Sequence, residues 1–316
     1  VAALTEARAA VGSGPRLLDE AFSPAVQGAL ERVRMRARHA SGERPGHTPV
    51  RGRNDASGTE VDRHTAYAPG DDLRRVDWAA YARLGELLTR RYVAEREVPV
   101  WVVLDASASM GPAEPGSKLD MAGAIAAVVG SVALSGGDRV HVAALPGGAK
   151  PRQVGPLRGR PALSTLRSFL ASLEPTGVGG EPAAGLASLL RGVRRGLVFL
   201  VSDFLFEEEA IERALDAIGQ GGCEGKVVQV LSREDVDPSW LRGRDAIVDR
   251  ETGESLRVDA TNALLGRYAA ALEAHVAALA AASARRAMMS SLTVTGDGLR
   301  AFLREELPRL GLRLVR

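Results

Sequence analysis

Asp105, Ser107 and Ser109 set an oxygen-bearing side chain at every second position, directly after the apolar run Val100 to Leu104. Hard cations such as Mg²⁺ take oxygen ligands and keep part of their water. A carboxylate and two hydroxyls are therefore a cation-binding pattern, provided the chain leaves its strand there and the side chains converge. The same residues can also cap a following helix and tie down its loop. The D-x-S-x-S spacing alone leaves both readings open. A second strand-end acid, Asp203, follows the apolar run Gly196 to Ser202. If the two runs are neighbouring strands, both carboxylates face one crevice, and two acids with two hydroxyls are more specific than either motif alone.

Other chemistries find less in the chain. A metal-dependent phosphoesterase is an alternative, because strand-end aspartates holding Mg²⁺ also serve phosphoryl transfer. Against it, no second acid lies within the Asp105 loop. Neither a Gly-rich, Lys-containing phosphate loop nor a G-x-S-x-G elbow is present. His39, His47, His64, His141 and His275 are scattered without metal-ligand pairing, and His141 reads as a core or edge residue of a strand. The expectation is a binding protein, not an enzyme.

The elements that must position these residues follow from periodicity. Val100 to Leu104 has no polar alternation, as suits a strand buried on both faces of a parallel sheet. After it, Ser117-Lys-Leu-Asp120 resembles a capping box opening an Ala/Val/Ile-rich helix to about Leu134. A strand over 139–145, an edge strand over 150–155 and a helix striped by Leu163, Leu166, Phe169, Leu170 and Leu173 come next. Beyond these the chain predicts a helix entered at Pro182, the strand 196–202, a helix 207–218, a strand 227–231 and a hairpin at Thr252-Gly253. Helices over 261–287 and 298–310 close it. Alternating strands and helices imply an α/β fold, a doubly wound, mainly parallel sheet. Ligands of such sheets bind beyond the carboxyl ends of the strands, where Asp105 and Asp203 fall.

Upstream, Leu17, Leu18, Phe22, Val26, Leu30 and Val33 recur at helical spacing, with Ser23-Pro24 as a cap. The segment Arg32 to Arg53 is basic, and no aromatic residue sits among its arginines to stack on bases, so a solvated loop or partners for nearby acids is preferred over nucleic acid. In Tyr67-Ala-Pro-Gly-Asp-Asp a Pro-Gly turn precedes a helix that Asp71 or Asp72 can cap. Asp71, Asp72 and Asp77 alternate there with Arg74, Arg75 and Arg83. As a partner surface, its candidates are Asp71, Asp72, Arg74, Asp77 and Trp78. As an internal clamp, Leu73, Val76, Trp78, Tyr81 and Leu84 form its packed side, and the aromatic pair favours the clamp. The organisation expected is an unstructured 1–14, an N-terminal helical and β accessory segment over 15–97, and the α/β domain over 98–316.

Of 316 residues, 45% are hydrophobic, and the net charge of +2 does not itself call for nucleic acid or membrane. Arginine supplies nearly all positive charge, lysine appearing only at Lys118, Lys150 and Lys226, as a GC-rich genome would produce. Cys223 is the one cysteine, which excludes an internal disulfide or a thiolate metal cluster. The longest uncharged run, Met121 to Gly137, is shorter than the ~20 residues that span a bilayer. A buried helix and a cytoplasmic protein are expected.

Asp105-Ala-Ser-Ala-Ser109-Met110, with Leu200-Val-Ser-Asp203 downstream, resembles the von Willebrand factor A-like domain and its metal-ion-dependent adhesion site. Tyr67-x-Pro-Gly-Asp-Asp-x-Arg74-x-Val-Asp77-Trp78 with Ala82-Arg83, then Arg91-Tyr-x-x-Glu95, resembles the DUF58 family of bacterial proteins, over about residues 15 to 290. Members often carry two transmembrane helices ahead of this region, and this chain resembles the short soluble form. The resemblance implies a doubly wound sheet with six main strands. It also implies work beside a MoxR-type AAA+ ATPase in maturation of a client protein. Carried over, Ser107 and Ser109 are direct ligands of Mg²⁺ or Mn²⁺, and Asp105 and Asp203 act largely through water. Where the family places a Thr ligand, this chain reads Gly179-Gly180-Glu181. Glu181 can supply an oxygen only with a change of charge at the metal. The function implied is a metal-assisted protein-interaction module, and the departure at Glu181 keeps a scaffold with a vestigial site as its alternative.

Overall fold

Val100 to Leu104 lies in the middle of a sheet. The computed structural model describes residues 16–35, 61–69, 71–92, 98–111, 114–145, 150–175, 182–193, 196–244, 246–248 and 254–314. Among the described residues a six-stranded sheet is built from β1 (Pro99–Asp105), β2 (Arg139–Leu145), β3 (Arg152–Leu157), β4 (Leu197–Ser202), β5 (Glu224–Leu231) and β6 (Met289–Val294). Their order across the sheet is β6-β5-β4-β1-β2-β3. All neighbours are parallel except the edge pair, where β3 runs antiparallel to β2. The expected edge strand is thus present, shifted two residues downstream.

Successive side chains of a strand point to opposite faces, and here both faces are covered. Val100, Val102, Leu104, Phe199 and Val201 join the side chains of α1 (Lys118–Ser135) and α2 (Leu163–Ala171) in one cluster. Trp101, Val103, Val198 and Leu200 join α3 (Pro182–Leu189), α4 (Glu208–Gln220) and α5 (Asn262–Arg285) in the other. Helices on two faces of a mostly parallel sheet are the α/β arrangement that periodicity predicted. α1 is buried from Lys118 to Leu134, which explains a helix apolar on all sides. It is long and apolar enough to cross a membrane by length and composition, and no other helix among the described residues is.

The predicted N-terminal helix is two helices, Leu17–Ala21 and Pro24–Leu30, because Ser23 breaks the chain to cap the second through its hydroxyl. The helices pack against α1, although sequence placed them in the accessory segment 15–97. The chain divides into two compact units, 1–41 with 98–316, and 42–97. Asp120 explains the first grouping. Its buried carboxylate accepts the N–H groups of Leu17 (2.9 Å), Leu18 (3.4 Å) and Gly116 (3.2 Å) and pairs with Arg16. The expected capping box is therefore only half formed. Ser117 accepts the N–H of Asp120 at 3.0 Å, but the Asp120 carboxylate turns to the N-terminal helix. Asp120→Ala strands one buried and two partly buried donors, worth up to about 1–3 kcal/mol each where buried. A loss of about 3 kcal/mol in urea unfolding is expected, with earlier proteolysis near Arg16.

The predicted hairpin is Ala246–Val248 against Ser255–Arg257, its turn lying outside the described residues. The last helix contains a π-helical turn, Phe302–Glu306, between Gly298–Ala301 and Leu307–Arg309. Residues 1–14, and the basic segment from residue 36 onward, also lie outside the described residues.

In the smaller unit, Val61–Ala66 pairs antiparallel with Leu88–Tyr92. Asp72 accepts the N–H of Arg74 and caps the turn Leu73–Arg75. Asp77 accepts the N–H groups of Ala79 and Ala80, capping Trp78–Leu84, and its other oxygen meets His64 Nε2 at 2.9 Å. Val76 and Ala80 are buried, but Trp78 is 58% and Leu84 66% exposed, as are Leu73 and Tyr81 in large part. The packed side expected from these residues is therefore not formed. Residues 78 and 81 lie on one side of a two-turn helix, and Ala80, on the other, is its buried residue.

Candidate functional site

β1 and β4 are adjacent and in register, with Leu104 beside Val201, so Asp105 stands level with Ser202 and one residue short of Asp203. From this pair of strands the chain departs in opposite directions, β1 through α1 to β2 and β4 through α4 to β5. That is a topological switch point, where the strand ends leave a crevice.

Asp105, Ser107 and Ser109 meet at this strand end, and the charge of Asp203 reaches Asp105. Asp105 Oδ1 accepts the N–H of Ser107 at 2.9 Å, and Oδ2 accepts the hydroxyl of Ser202 at 2.6 Å. Ser107 Oγ and Ser109 Oγ are 3.0 Å apart. Asp203, fully buried, accepts the N–H of Leu205 at Oδ1, and its backbone carbonyl accepts Gln229 Nε2. Burial pushes the Asp105 carboxyl above the usual carboxylate range, and the neighbouring Asp203 charge adds to this. Hydrogen bonds from Ser202 and Ser107 oppose the shift. Phe204, at φ +55, is a bulky residue in the left-handed region. Such strain persists where surroundings over-determine it. Here Ser202 Oγ accepts the Phe204 N–H at 3.0 Å, and the Phe204 carbonyl meets His275 Nε2 at 2.7 Å.

Lys118, in the first turn of α1, was not among the expected site residues. Its ammonium donates to Asp203 Oδ2 at 2.7 Å and lies 3.2 Å from Asp235 Oδ2, with the side chain 9% exposed. Burial alone disfavours its charge, but Asp203 and Asp235 outweigh that and raise its pKa above the ordinary lysine value. The site thus already contains one fixed cation. Asp235 is itself held by a capping box with Ser232, and Tyr268 OH donates to its carbonyl at 2.8 Å.

The two hydroxyls are hydrogen-bonded to each other, at a spacing that two adjacent ligands of a small divalent ion would also have. Bonds of about 2.0–2.1 Å in an octahedron put adjacent ligands about 3 Å apart, the Ser107–Ser109 spacing. Asp203 fits less well as a direct ligand, since both its oxygens are engaged. Among the described residues no three His, Cys, Asp or Glu side chains form a metal-binding group. Glu181, Gly179 and Gly180 lie outside the described residues.

A family model described as a protein of unknown function, DUF58, matches residues 63–278. The chain belongs to the DUF58 family. This DUF58 protein is 34% identical over 228 residues to the uncharacterized proteins Mb1516 of Mycobacterium bovis and Rv1480 of Mycobacterium tuberculosis, covering 71% of this chain and 70% of each relative. Two solved structures are similar with a TM-score of 0.36 each. One is the conserved hypothetical protein BatB from Bacteroides thetaiotaomicron, at 20% identity over 59% of this chain and 98% of that one. The other is an aerotolerance-related membrane protein from Bacteroides fragilis, at 19% identity over 55% and 87%.

Proposed function

We propose that this DUF58 protein is a non-enzymatic docking module with a von Willebrand factor A-like site at the tips of β1 and β4. The observation that carries the reading is the pair of hydroxyls, Ser107 and Ser109, at octahedral spacing beside a buried carboxylate. Ser107 and Ser109 would hold Mg²⁺ or Mn²⁺, with Asp105 behind them. When bound, the ion supplies an electrophilic position that takes an anionic oxygen, such as a partner's Asp or Glu. Asp105 fixes the turn of the serine loop through the Ser107 N–H, and Ser202 fixes Asp105. Asp203 is fully buried and ion-paired to Lys118, which supports binding over phosphoester hydrolysis at this acid.

From the resemblance, the partner is a MoxR-type AAA+ ATPase and the setting is maturation of a client protein in the cytoplasm. The exposed pair Trp78–Tyr81, with ring centroids 6.3 Å apart, suits a second contact, flanked by Asp71, Asp72 and Arg74, while Asp77 is buried in its capping role. Exposed aromatic residues of this kind often dominate protein interfaces.

A second reading is favoured by Lys118. Its ammonium already neutralises Asp203, so the site can be a scaffold in which lysine supplies the positive charge. Calorimetric titration with Mg²⁺ and Mn²⁺ separates the two. The docking module predicts saturable binding that is lost in a Ser107→Ala/Ser109→Ala variant of unchanged stability. Absence of binding in the native protein would leave the scaffold.

A further inference from the structure

At the opposite end of the same strands is a cleft of about 830 Å³ with a different chemistry. It opens over the starts of β1 and β2, between the edge strand β3 and the end of α3, within the larger unit. Trp101 is four residues before Asp105, about 13 Å along an extended strand. The cleft is therefore separate from the strand-tip site.

Its lining carries Arg139, Lys150 and Arg191, with Gln153 as a neutral hydrogen-bonding group, and no Asp or Glu among the described lining residues. Trp101 and His141 form its inner wall, their rings stacked at 4.2 Å and 10°. The Trp101 indole N–H is buried and has no acceptor among the described residues. A buried donor without a partner costs free energy, and a bound anion is one source of the missing acceptor. The His141 ring is held from the other side by Gly155. At φ +128, a Cβ at Gly155 would stand 2.7 Å from the Val140 carbonyl oxygen and 3.2 Å from His141 Nδ1, so only glycine admits this approach. Burial and the adjacent Arg139 pull the His141 pKa below its ordinary value, so its ring is neutral at pH 7 and adds no charge of its own.

We propose that this cleft binds a small phosphate-bearing anion, a phosphate ester or polyphosphate, between Lys150 and Arg191. Lysine and arginine recognise phosphate through charge-assisted hydrogen bonds, and the volume is that of a small-molecule site. Trp101 is 7% exposed and covered by His141, which leaves no open aromatic face for a nucleobase. Recognition therefore rests on the phosphates.

The test is a titration with inorganic pyrophosphate in metal-free buffer at constant ionic strength. In a Trp78→Phe/Trp240→Phe background, Trp101 is the sole tryptophan and reports directly on the cleft. A saturable change in its emission is expected, half-maximal at or below about 1 mM. Lys150→Ala and Arg191→Ala, both at exposed positions, should each weaken binding about three- to tenfold. Arg167→Ala, at a distant exposed ion pair with Asp19, should not. The proposal is overturned by no saturable change at about 20 mM pyrophosphate, by equal affinity in the Lys150→Ala/Arg191→Ala variant, or by equal weakening in Arg167→Ala. Tighter binding of a tetraglutamate peptide than of pyrophosphate would overturn the phosphate class. None of these outcomes depends on Ser107 or Ser109, so this cleft and the strand-tip site can fail separately.

Discussion

Lys118→Met should lower the stability of the metal-free protein by about 3–5 kcal/mol, the cost of leaving a buried carboxylate without its partner. Asp203 has nowhere to find a replacement. It is fully buried, its other oxygen already accepts the Leu205 N–H, and Lys118 is the ammonium at 2.7 Å. Asp235 keeps its Ser232 bonds and is less affected. Asp203→Leu alone should cost a similar amount, because it leaves the ammonium with Asp235 only. The double variant Lys118→Met/Asp203→Leu should cost clearly less than the two losses added, since apolar groups can replace a buried pair at little net cost. Urea unfolding of the four proteins measures the coupling, and additive losses would remove the ion pair from the account of this site. The same substitution has an opposite effect on function. Removing a fixed positive charge from beside a cation site should tighten Mg²⁺ by about tenfold. Equal affinity in the native and Lys118→Met proteins would show that the ammonium and the ion do not compete.

The sheet was legible because its strands are buried on both faces and read as unbroken apolar runs, as at Val100–Leu104 and Leu197–Ser202. Parallel pairing of those two runs then brings Asp105 and Asp203 together without any further information. Lys118 was less visible, because a lysine three residues ahead of an apolar run reads as an ordinary first-turn residue. A signal existed in its rarity. In a chain that otherwise uses arginine, two of the three lysines, Lys118 and Lys226, are buried in ion pairs, and Lys150 lines the basic cleft. An ammonium is a compact point charge with three rotatable donors, and at Lys118 it reaches both Asp203 and Asp235. Trp78 and Tyr81 misled for the opposite reason. Aromatic residues at helical spacing ordinarily mark the inside of a helix, whereas this two-turn helix buries Ala80 and turns its rings outward. Asp120 fitted a capping box by spacing, and nothing local distinguishes a carboxylate that reaches back to its own cap from one that reaches 103 residues away to Leu17.

Asp105→Asn should make the metal-free protein more stable at pH 7 while weakening Mg²⁺ about 10- to 100-fold, the usual cost of removing a group that orients the ligands. The two effects have one cause. Burial first, and then the Asp203 charge, hold the Asp105 carboxyl above its unfolded value of 3.8. Between 3.8 and the raised folded value the native state binds the proton more tightly than the unfolded chain. Stability therefore falls as pH rises through that window, and above it the full cost of a buried, repelled carboxylate remains. Asparagine removes this cost and keeps the Oδ1 acceptor for the Ser107 N–H, so the serine loop need not move. The Ser202 hydroxyl must turn, because the amide offers it donors where it met a carboxylate oxygen. The stability gain should consequently be present at neutral pH and disappear below pH 3.8, where Asp105 is protonated in both states. Thermal unfolding of the two proteins from pH 3 to pH 8, without metal, checks the sign. A variant less stable than the native protein at pH 7 would mean that the Ser202 and Ser107 bonds outweigh burial, and that Asp105 serves the fold before it serves the site.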